Sequence, residues 1–309
     1  MSPSHAPRAA AILGAGSIGV SFVLRFTRAG GAVTMWDPLP GALDRAETEL
    51  AEGAAAAGLP PDVLKSLVRL ETDLPVAVAD ASLIQECAPE QLELKRQLLA
   101  DVVRHAPADA LIASSSSAMM PSLLAARLDD QAAERFLVAH PANPPHLLPV
   151  IELVPGERTS AQALQRARRW YRDAGMRPVA VRREVEGFVY NRLQGAVLRE
   201  AYCLVRDGVA GVDDIDEVMR SGLGRRWSVV GPFETADLNT RGGIASHARK
   251  MGPAYERMGA ERGQHDPWTP DLVARVAAER RELLPPGVWT ERVRWRDRRL
   301  MELTAVWDK

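Results

Sequence analysis

The sequence has few cysteines, no surplus of either charge and no long apolar run, and each of these absences excludes a class of protein. Its 309 residues include 2 cysteines. Cys87 and Cys203 lie far apart without a CxxC pair, which argues against a disulfide framework or a zinc site, so we interpret them as buried thiols in a reducing compartment. The 39 basic residues nearly balance the 40 acidic ones, whereas a nucleic-acid-binding domain usually carries a basic surplus.

Membrane and secretion signals are absent as well. No apolar run reaches the roughly 18 residues that a transmembrane helix needs, and residues 1–8 are too few and too polar for a secretory signal. We therefore expect a soluble, cytoplasmic protein that binds no metal and has neither membrane nor nucleic acid as a partner. The composition, 46% hydrophobic and 26% charged, is that of a globular protein, and about 100–200 residues per domain predicts two domains.

Short apolar runs alternate with amphipathic stretches up to about residue 183. This alternation predicts a mostly parallel sheet whose strands are linked by crossover helices, as in a doubly wound α/β domain. The runs that we interpret as strands are residues 9–13, 32–36, 82–84, 110–113, 136–139, 150–154 and 178–181. Leucines and valines between residues 91 and 104 recur with helical spacing and predict one of the intervening helices.

The pattern changes after residue 185, where long helical stretches replace the alternation. The first of these stretches, residues 188–206, ends shortly before Gly208, and glycine is typical of helix C-termini. Few strand signals follow it. We therefore predict a Rossmann-type α/β domain over residues 1–185 and an all-α domain over residues 186–309.

A glycine-rich turn follows the first predicted strand and begins a helix, and this context strengthens the GxGxxG pattern. Gly14 permits the tight turn, Gly16 lets the backbone approach a pyrophosphate, and Gly19 lets the helix pack against the strand. We expect the amides of Ser17 and Ile18 to face the phosphates, because a helix N-terminus favours negative charge. The turn therefore predicts a dinucleotide site.

An acidic residue at the end of the second predicted strand indicates which dinucleotide binds. Asp37 lies 23 residues after Gly14, at a position where a carboxylate accepts hydrogen bonds from the ribose hydroxyls of the adenosine. The same charge would repel a 2′-phosphate, and Pro38 rather than an arginine comes next. We therefore expect NAD in preference to NADP.

Polar residues at or near the ends of later predicted strands are candidates for the chemistry. Residues 114–117 are four serines, His140 follows the run at 136–139, and Glu152 lies twelve residues further on. Oxidation of a secondary alcohol needs a base for the hydroxyl proton, and imidazole titrates closest to neutrality. His140 is the candidate base, and Glu152 would fix its tautomer and stabilise the imidazolium. The alternative is a histidine with a purely structural role.

Several long motifs resemble the 3-hydroxyacyl-CoA dehydrogenase superfamily and, within it, the branch of lambda-crystallin and L-gulonate 3-dehydrogenase. The resemblance covers essentially the whole chain and implies an NAD-dependent oxidoreductase. The motifs that carry it are GAGSIG at residues 14–19, QECAPEQLELK at 85–95, SSSSAMMPS at 114–122, HPANPPHLLPVIELVP at 140–155, VEGFVYNRLQ at 185–194, GLGRRWSVVGPFET at 222–235 and WRDRRLM at 295–301.

The resemblance implies roles for residues at matching positions. It implies an active-site tetrad in which His140 is the base and Glu152 orients it. Ser117 and Asn191 complete the tetrad by hydrogen-bonding the reacting oxygen and steadying the charge that develops there.

Two further residues are implied to contact the cofactor near its ribose and nicotinamide, Glu90 and Lys95. Lys95 is one of only four lysines in a chain whose positive charge comes mainly from arginine. This scarcity is consistent with a position that requires a point charge. The alternative for Lys95 is a solvated residue of a helix.

Two departures from the acyl-CoA branch indicate a free acid as substrate. That branch typically has two aromatic residues after the histidine, as in HFFNP, whereas this chain has Pro141 and Ala142. It also has Arg225 and Arg226 where the acyl-CoA enzymes look neutral. A guanidinium binds a carboxylate through two parallel hydrogen bonds, and a thioester offers no such charge. We therefore expect a free 3-hydroxy acid such as L-gulonate, oxidised to the 3-keto acid, with Arg226 as the carboxylate anchor.

Three other functions stay open. One is a 3-hydroxyacyl-CoA dehydrogenase, acting for example on 3-hydroxybutyryl-CoA. Another is an L-carnitine dehydrogenase, which needs an aromatic surface for the trimethylammonium group, supplied by Trp227 or Tyr190. The non-enzymatic alternative is a structural, crystallin-like NAD-binding protein, although retention of the whole tetrad argues against it. The resemblance and the apolar faces of the second domain also predict a homodimer.

Overall fold

The computed structural model describes residues 9–264 and 269–307 of the chain. Its contacts divide the chain into two compact units, residues 1–197 and 198–309. The domain boundary predicted near residue 185 stays a prediction, and the expected lack of a secretory signal concerns residues 1–8, outside the described residues. None of the described helices combines the length with the apolar character that crossing a bilayer requires.

Among the described residues of unit 1, eight strands form one sheet in the order β3-β2-β1-β4-β5-β6-β7-β8. All neighbouring strands are parallel except β6 and β7, which are antiparallel. This confirms the predicted mostly parallel, doubly wound sheet. The strands are β1 (Ala9–Leu13), β2 (Ala32–Trp36), β3 (Val68–Glu71), β4 (Leu83–Glu86), β5 (Leu111–Ser114), β6 (Phe136–Pro141), β7 (Val150–Pro155) and β8 (Arg177–Ala180).

Helices connect and cover these strands, and local sequence signals explain several of their starts. Asp129 caps α7 and Ser160 caps α8 by accepting a backbone N–H three residues ahead. Proline stands in the first turn of α2, α3 and α6, where its missing N–H costs nothing. The helices are α1 (Ser17–Arg28), α2 (Pro40–Ala56), α3 (Pro61–Leu67), α4 (Leu74–Val78), α5 (Leu92–His105), α6 (Pro121–Leu124), α7 (Asp130–Glu134), α8 (Ala161–Asp173) and α9 (Tyr190–Arg206), with a 3-10 turn at Ala125–Arg127.

The sheet is buried on both faces, because helices pack on each side of it. Successive side chains of a strand point to opposite faces. Along β1, Ile12 therefore joins one core cluster together with Phe22, and Leu13 joins the other together with Leu99. Strands buried in this way appear in a sequence as continuous apolar runs, which is why most of them were predictable.

The strand order reverses direction at β1, which lies between β2 and β4. Gly14 leaves the end of β1 and donates its N–H to the carbonyl of Trp36, while Cys87 leaves β4 and donates to the carbonyl of Leu13. Ligands of doubly wound sheets bind outside the carboxyl ends of the strands at such a reversal. The glycine turn therefore lies where this architecture binds a dinucleotide.

Unit 2 contains helices and no strand among its described residues, which confirms the predicted all-α second domain. Its small core holds Val230, Leu238 and Leu284. The fully buried Asp237 accepts the N–H of Ile244 at 2.8 Å, at the start of the helix Gly243–Glu261. The helices are α10 (Val212–Glu217), α11 (Arg225–Trp227), α12 (Pro232–Leu238), α13 (Gly243–Glu261), α14 (Pro270–Leu283) and α15 (Trp289–Trp307), with a π-helical turn at Val218–Gly224 and a 3-10 turn at Pro286–Val288.

Differences from the sequence prediction include one missed strand and one helix start. The strand β3 was not predicted, because its four residues are only partly buried and carry two charged side chains. The helix predicted from residue 188 begins at Tyr190 instead. Its start is delayed because Phe188 has a left-handed backbone conformation, with φ of 48°, which a right-handed helix cannot include.

Candidate active site

The glycine turn has the shape that a dinucleotide requires. Gly14 has φ of +116°, and a Cβ added there would lie 2.7 Å from the carbonyl oxygen of Cys87. A Cβ on Gly19 would collide with the carbonyl oxygen of Gly14, so only glycine permits the helix to approach the turn. A Cβ on Gly16 would meet no atom within 4 Å. The space beside Gly16 is therefore open to a pyrophosphate, which fits NAD.

The start of α1 and the end of β2 supply the polar groups around this turn. Gly16 is the N-cap of α1 and no side chain caps the helix, so the first-turn amides of Ser17 and Ile18 are not covered by a capping side chain. Asp37 is half-buried, and its Oδ2 accepts the N–H of Ala15 at 3.0 Å. Its Oδ1 accepts the N–H of Leu39, also at 3.0 Å. Asp37 is thus held beside the turn, at the position that suits a ribose.

His140 and Glu152 form a buried pair between the antiparallel strands β6 and β7. His140 lies within β6 and not after it as the sequence suggested, and Glu152 is its cross-strand partner in β7. The imidazole Nδ1 is 2.8 Å from Glu152 Oε2, and both side chains are almost fully buried. A carboxylate on Nδ1 keeps a proton there and leaves Nε2 as the proton acceptor.

The second carboxylate oxygen of Glu152 is bound by the start of α9. Its Oε1 accepts the N–H of Val189 at 2.8 Å and the N–H of Tyr190 at 2.9 Å. These amides stand at the positive end of a 17-residue helix, which favours negative charge on Glu152. Each oxygen of Glu152 therefore has a separate partner, one in the imidazole and one in the helix.

Two aromatic rings stand beside the imidazole. The ring of Phe188, fully buried, has its centroid 5.5 Å from that of His140. The half-buried ring of Tyr190 lies 6.2 Å from His140 with an edge-to-face orientation. The imidazole is therefore enclosed by the β6–β7 ladder on one side and by the residues that precede and begin α9 on the other.

Ser117 and Asn191 meet through the backbone of Ser117. The side-chain amide of Asn191 donates to the carbonyl oxygen of Ser117 at 3.0 Å. The N–H of Ser117 donates to Glu90 Oε1 at 3.1 Å, and the residue is exposed to solvent. The turn that carries Ser117, the serine turn, is thus hydrogen-bonded both to Glu90 and to the first turn of α9.

A row of three charged side chains lies behind this serine turn. Lys95 in α5 is only 1% exposed, and its Nζ donates to Glu86 Oε1 at 2.7 Å and to the carbonyl of Ala88 at 2.9 Å. The same Nζ is 3.4 Å from Glu90 Oε2. Fully buried Glu86 also accepts the hydroxyl of Ser114. Lys95 is therefore not a solvated helix residue, and its ammonium group is bonded within the protein.

Burial, hydrogen bonds and a neighbouring charge act together on Glu90. Burial raises the pKa of this carboxyl, but the hydrogen bond from Ser116, the charge of Lys95 and the backbone N–H of Ala118 lower it by more in total. The pKa therefore lies below its usual range. Glu90 stays anionic at neutral pH and keeps the hydrogen-bond acceptors that the serine turn requires.

Cys87 adjoins the glycine turn and belongs to a polar chain that the sequence did not reveal. Its Sγ is 3.1 Å from the hydroxyl of Ser115, which also accepts the amide of Gln85 at 2.8 Å. Burial raises the pKa of the Cys87 thiol to about 12, although the contact with Ser115 lowers it in part. Both cysteines are half-buried, so the expectation of two buried thiols was wrong in degree.

Arg226, the predicted carboxylate anchor, belongs to unit 2. It lines a largely apolar cavity of about 530 Å³ within that unit, beside Trp227, Phe233 and Tyr255. In the part of the chain that the structure describes, its guanidinium has no carboxylate partner. Within the same described residues, no group of three or more histidine, cysteine or acidic side chains is arranged to hold a metal ion.

Sequence reasoning missed Glu86 and Phe188. Glu86 is the last residue of the buried strand β4. An acidic residue at the end of an apolar strand is a signal that the sequence pattern alone offered. Phe188 had no such signal, because a phenylalanine after a glycine suggests only a helix start.

Comparison with known proteins identifies the family. Family models match the NAD binding domain of 3-hydroxyacyl-CoA dehydrogenase over residues 9–185 and its C-terminal domain over residues 187–282. An L-carnitine dehydrogenase from Pseudomonas aeruginosa is 42% identical over 250 residues, which cover 80% of this chain and 77% of that protein. A 3-hydroxyacyl-CoA dehydrogenase from Gibberella moniliformis is 35% identical over 312 residues, covering 98% of this chain and 95% of that protein.

A third relative represents the branch that the motifs indicated. A lambda-crystallin homolog from Bos taurus is 39% identical over 263 residues, covering 82% of this chain and 81% of that protein. The prediction of the superfamily, and of NAD as its cofactor, is thereby confirmed. The chain belongs to the 3-hydroxyacyl-CoA dehydrogenase family and is an NAD-dependent oxidoreductase acting on CH–OH groups.

Proposed function

We propose that this oxidoreductase converts the 3-hydroxyl group of a free 3-hydroxy acid to a ketone, with His140 as the base. The observation that carries the proposal is the buried contact between His140 Nδ1 and Glu152 Oε2 at 2.8 Å. An imidazole oriented in this way presents Nε2 to an alcohol and gains a stabilising anion when it takes up the proton. NAD, when bound, supplies the acceptor for the hydride.

The other tetrad members are proposed to position the substrate. Ser117 and Asn191 would hydrogen-bond the oxygen that loses its proton, and the bond between Asn191 and the Ser117 carbonyl supports a common role. Glu90 and Lys95 are proposed to lie near the ribose and nicotinamide. For Lys95 this role would be indirect, since its ammonium is already bonded to Glu86 and Ala88.

Arg226 is proposed to bind the carboxylate of the substrate. Its guanidinium lacks an acidic partner among the described residues, and it lies at an apolar cavity wall where an ion pair is poorly screened by water. Pro141 and Ala142, which stand where acyl-CoA enzymes have aromatic residues, also favour a free acid over a thioester.

Within free 3-hydroxy acids, L-carnitine is a specific candidate beside L-gulonate. The ring of Tyr190 lies 6.2 Å from that of His140, so an aromatic surface adjoins the base. Such a surface attracts a trimethylammonium group. The similarity to L-carnitine dehydrogenases supports the same candidate.

A substrate panel tests the proposal. NADH formation is followed with L-carnitine, L-gulonate, 3-hydroxybutyrate and 3-hydroxybutyryl-CoA, each with NAD. We expect kcat/KM to be highest for a free acid and to fall by about 10²-fold in Arg226→Ala, because a bidentate charge-assisted pair is lost. Preference for the thioester would refute the free-acid proposal. Binding of NAD without oxidation of any alcohol would favour the structural, crystallin-like alternative.

We further propose that the protein is a homodimer. Leu198, Tyr202 and Val205 recur with helical spacing on α9, and all three side chains are exposed. An apolar stripe of this kind favours association with a second copy. Sedimentation velocity at micromolar concentration is expected to give a dimer, and a monomer there would contradict the proposal.

A further inference from the structure

The turn before α9 contains an unusual backbone conformation. Phe188 is the only non-glycine residue with positive φ in the described parts of the chain, and it follows Gly187, whose φ is +75°. A phenylalanine rarely adopts this conformation, and it persists only where the surrounding structure imposes it. Residues of this kind concentrate at active sites, so the contacts of Phe188 define what it does.

Phe188 contacts the acid–base pair in two ways. Its fully buried ring packs beside the imidazole of His140, with the ring centroids 5.5 Å apart. Its backbone leads directly to Val189 and Tyr190, whose amides both point at Glu152 Oε1. The left-handed residue Phe188 thus directly precedes two successive amides that converge on a single oxygen, and α9 begins only at the second of them.

We propose that Phe188 is a positioning residue that holds Glu152 and His140 in their mutual orientation. The inference rests on the proposed role of His140 as base. The ring limits the movement of the imidazole, while the turn fixes the amides that hold the far side of Glu152. Asn191, the next residue of α9, bonds the carbonyl of Ser117. The same turn therefore precedes the helix whose first residues contact Glu152, His140 and Ser117 and include Asn191.

Two substitutions remove the aromatic ring in different ways. Phe188→Gly removes the ring and keeps a residue that adopts positive φ without strain. Phe188→Leu keeps a buried apolar side chain without an aromatic face. The matched control is Phe26→Leu in α1. Phe26 is equally buried, and its ring centroid lies 4.5 Å from that of Trp170.

Kinetics give the first readout. Both Phe188 variants are expected to lower kcat about 10- to 100-fold while KM for NAD changes within about twofold, since a misplaced base slows chemistry without affecting the adenosine. Phe26→Leu is expected to lower Tm and to leave kcat unchanged. In the Glu152→Gln background, Phe188→Leu should cost little further, because both changes disrupt one unit. Multiplicative losses would overturn the proposal.

Nuclear magnetic resonance gives a readout that needs no substrate. With ¹⁵N-labelled histidine, the unmodified protein is expected to show a downfield imidazole N–H resonance that disappears in His140→Gln and Glu152→Gln. That resonance should be lost or move upfield in both Phe188 variants and persist in Phe26→Leu. Its retention in both Phe188 variants would overturn the inference. If the unmodified protein oxidises no alcohol in the panel, the proposed function fails, and the resonance still decides the role of Phe188.

Discussion

Glu152 lies directly opposite His140 in the antiparallel pairing of β6 and β7, and its Oε2 is 2.8 Å from the imidazole Nδ1. Replacing the carboxylate with an amide, in Glu152→Gln, removes the charge that stabilises the imidazolium. We expect kcat to fall by about 10²- to 10⁴-fold. A kcat within about threefold of that of the unmodified protein would contradict the orienting role.

His140→Ala removes the proposed base and leaves the dinucleotide turn intact. Turnover is expected to be abolished, while the Kd for NAD, measured by calorimetry, stays within about threefold. The reason is that Gly16 and Asp37, which face the pyrophosphate and the ribose in our proposal, do not contact this imidazole. Parallel loss of NAD affinity and turnover would show that the histidine serves mainly to hold the structure.

Asp37→Ala tests the choice of cofactor. The Asp37 carboxylate stands beside the glycine turn, where it accepts the N–H of Ala15 at 3.0 Å. Removing its charge also removes the repulsion of a 2′-phosphate. The ratio of kcat/KM for NADP to that for NAD is expected to rise by at least about tenfold, a change of about 1.4 kcal/mol. An unchanged ratio would contradict the proposed contact between Asp37 and the ribose.

Cys87 is expected to resist alkylation in the folded protein. Burial raises the pKa of this thiol to about 12, and only the thiolate reacts, so about one thiol in ten thousand is reactive at pH 8. Peptide mapping after iodoacetamide treatment at pH 8 should find Cys87 unmodified in the native protein and modified in urea. Raising the pH should accelerate the native reaction. Equal rates in the native and unfolded protein would contradict the burial argument.

Lys95→Met should destabilise unit 1 strongly. The substitution leaves Glu86 fully buried without its cationic partner, and breaking a buried pair in this way costs roughly 3–5 kcal/mol. Urea unfolding gives the free energy of unfolding. The double variant Lys95→Met/Glu86→Gln is expected to recover part of the loss, since no charge then stays buried. The control is Lys65→Met, an exposed lysine in α3 whose replacement should change stability by less than about 0.5 kcal/mol.

The sheet and the glycine turn were predictable because their signals are local. Residues 9–13 form a continuous apolar run, and Gly14, Gly16 and Gly19 each meet a steric demand within a few residues of chain. The pairing of His140 with Glu152 was suggested by the chemistry of the two residues and implied by the resemblance, but their spacing alone did not establish it. A separation of twelve residues does not say whether the second strand runs parallel or antiparallel, and only the antiparallel register makes the two side chains direct neighbours.

The network behind the serine turn was not predictable from patterns. Glu86, Lys95 and Glu90 come together because β4 ends where α5 and the turn after β5 pass, which is a property of the folded sheet. The left-handed conformation of Phe188 was also invisible, since nothing in its residue type favours positive φ.

The reversed direction of β7 places His140 and Glu152 side by side and leaves a loop between their strands. The hydrogen-bonded ladder aligns His140 with Glu152, whereas the connection between the two strands, residues 142–149, carries the exposed Leu147 and Leu148. Changes of sequence within this loop can therefore alter its exposed surface while His140 and Glu152 keep their spacing.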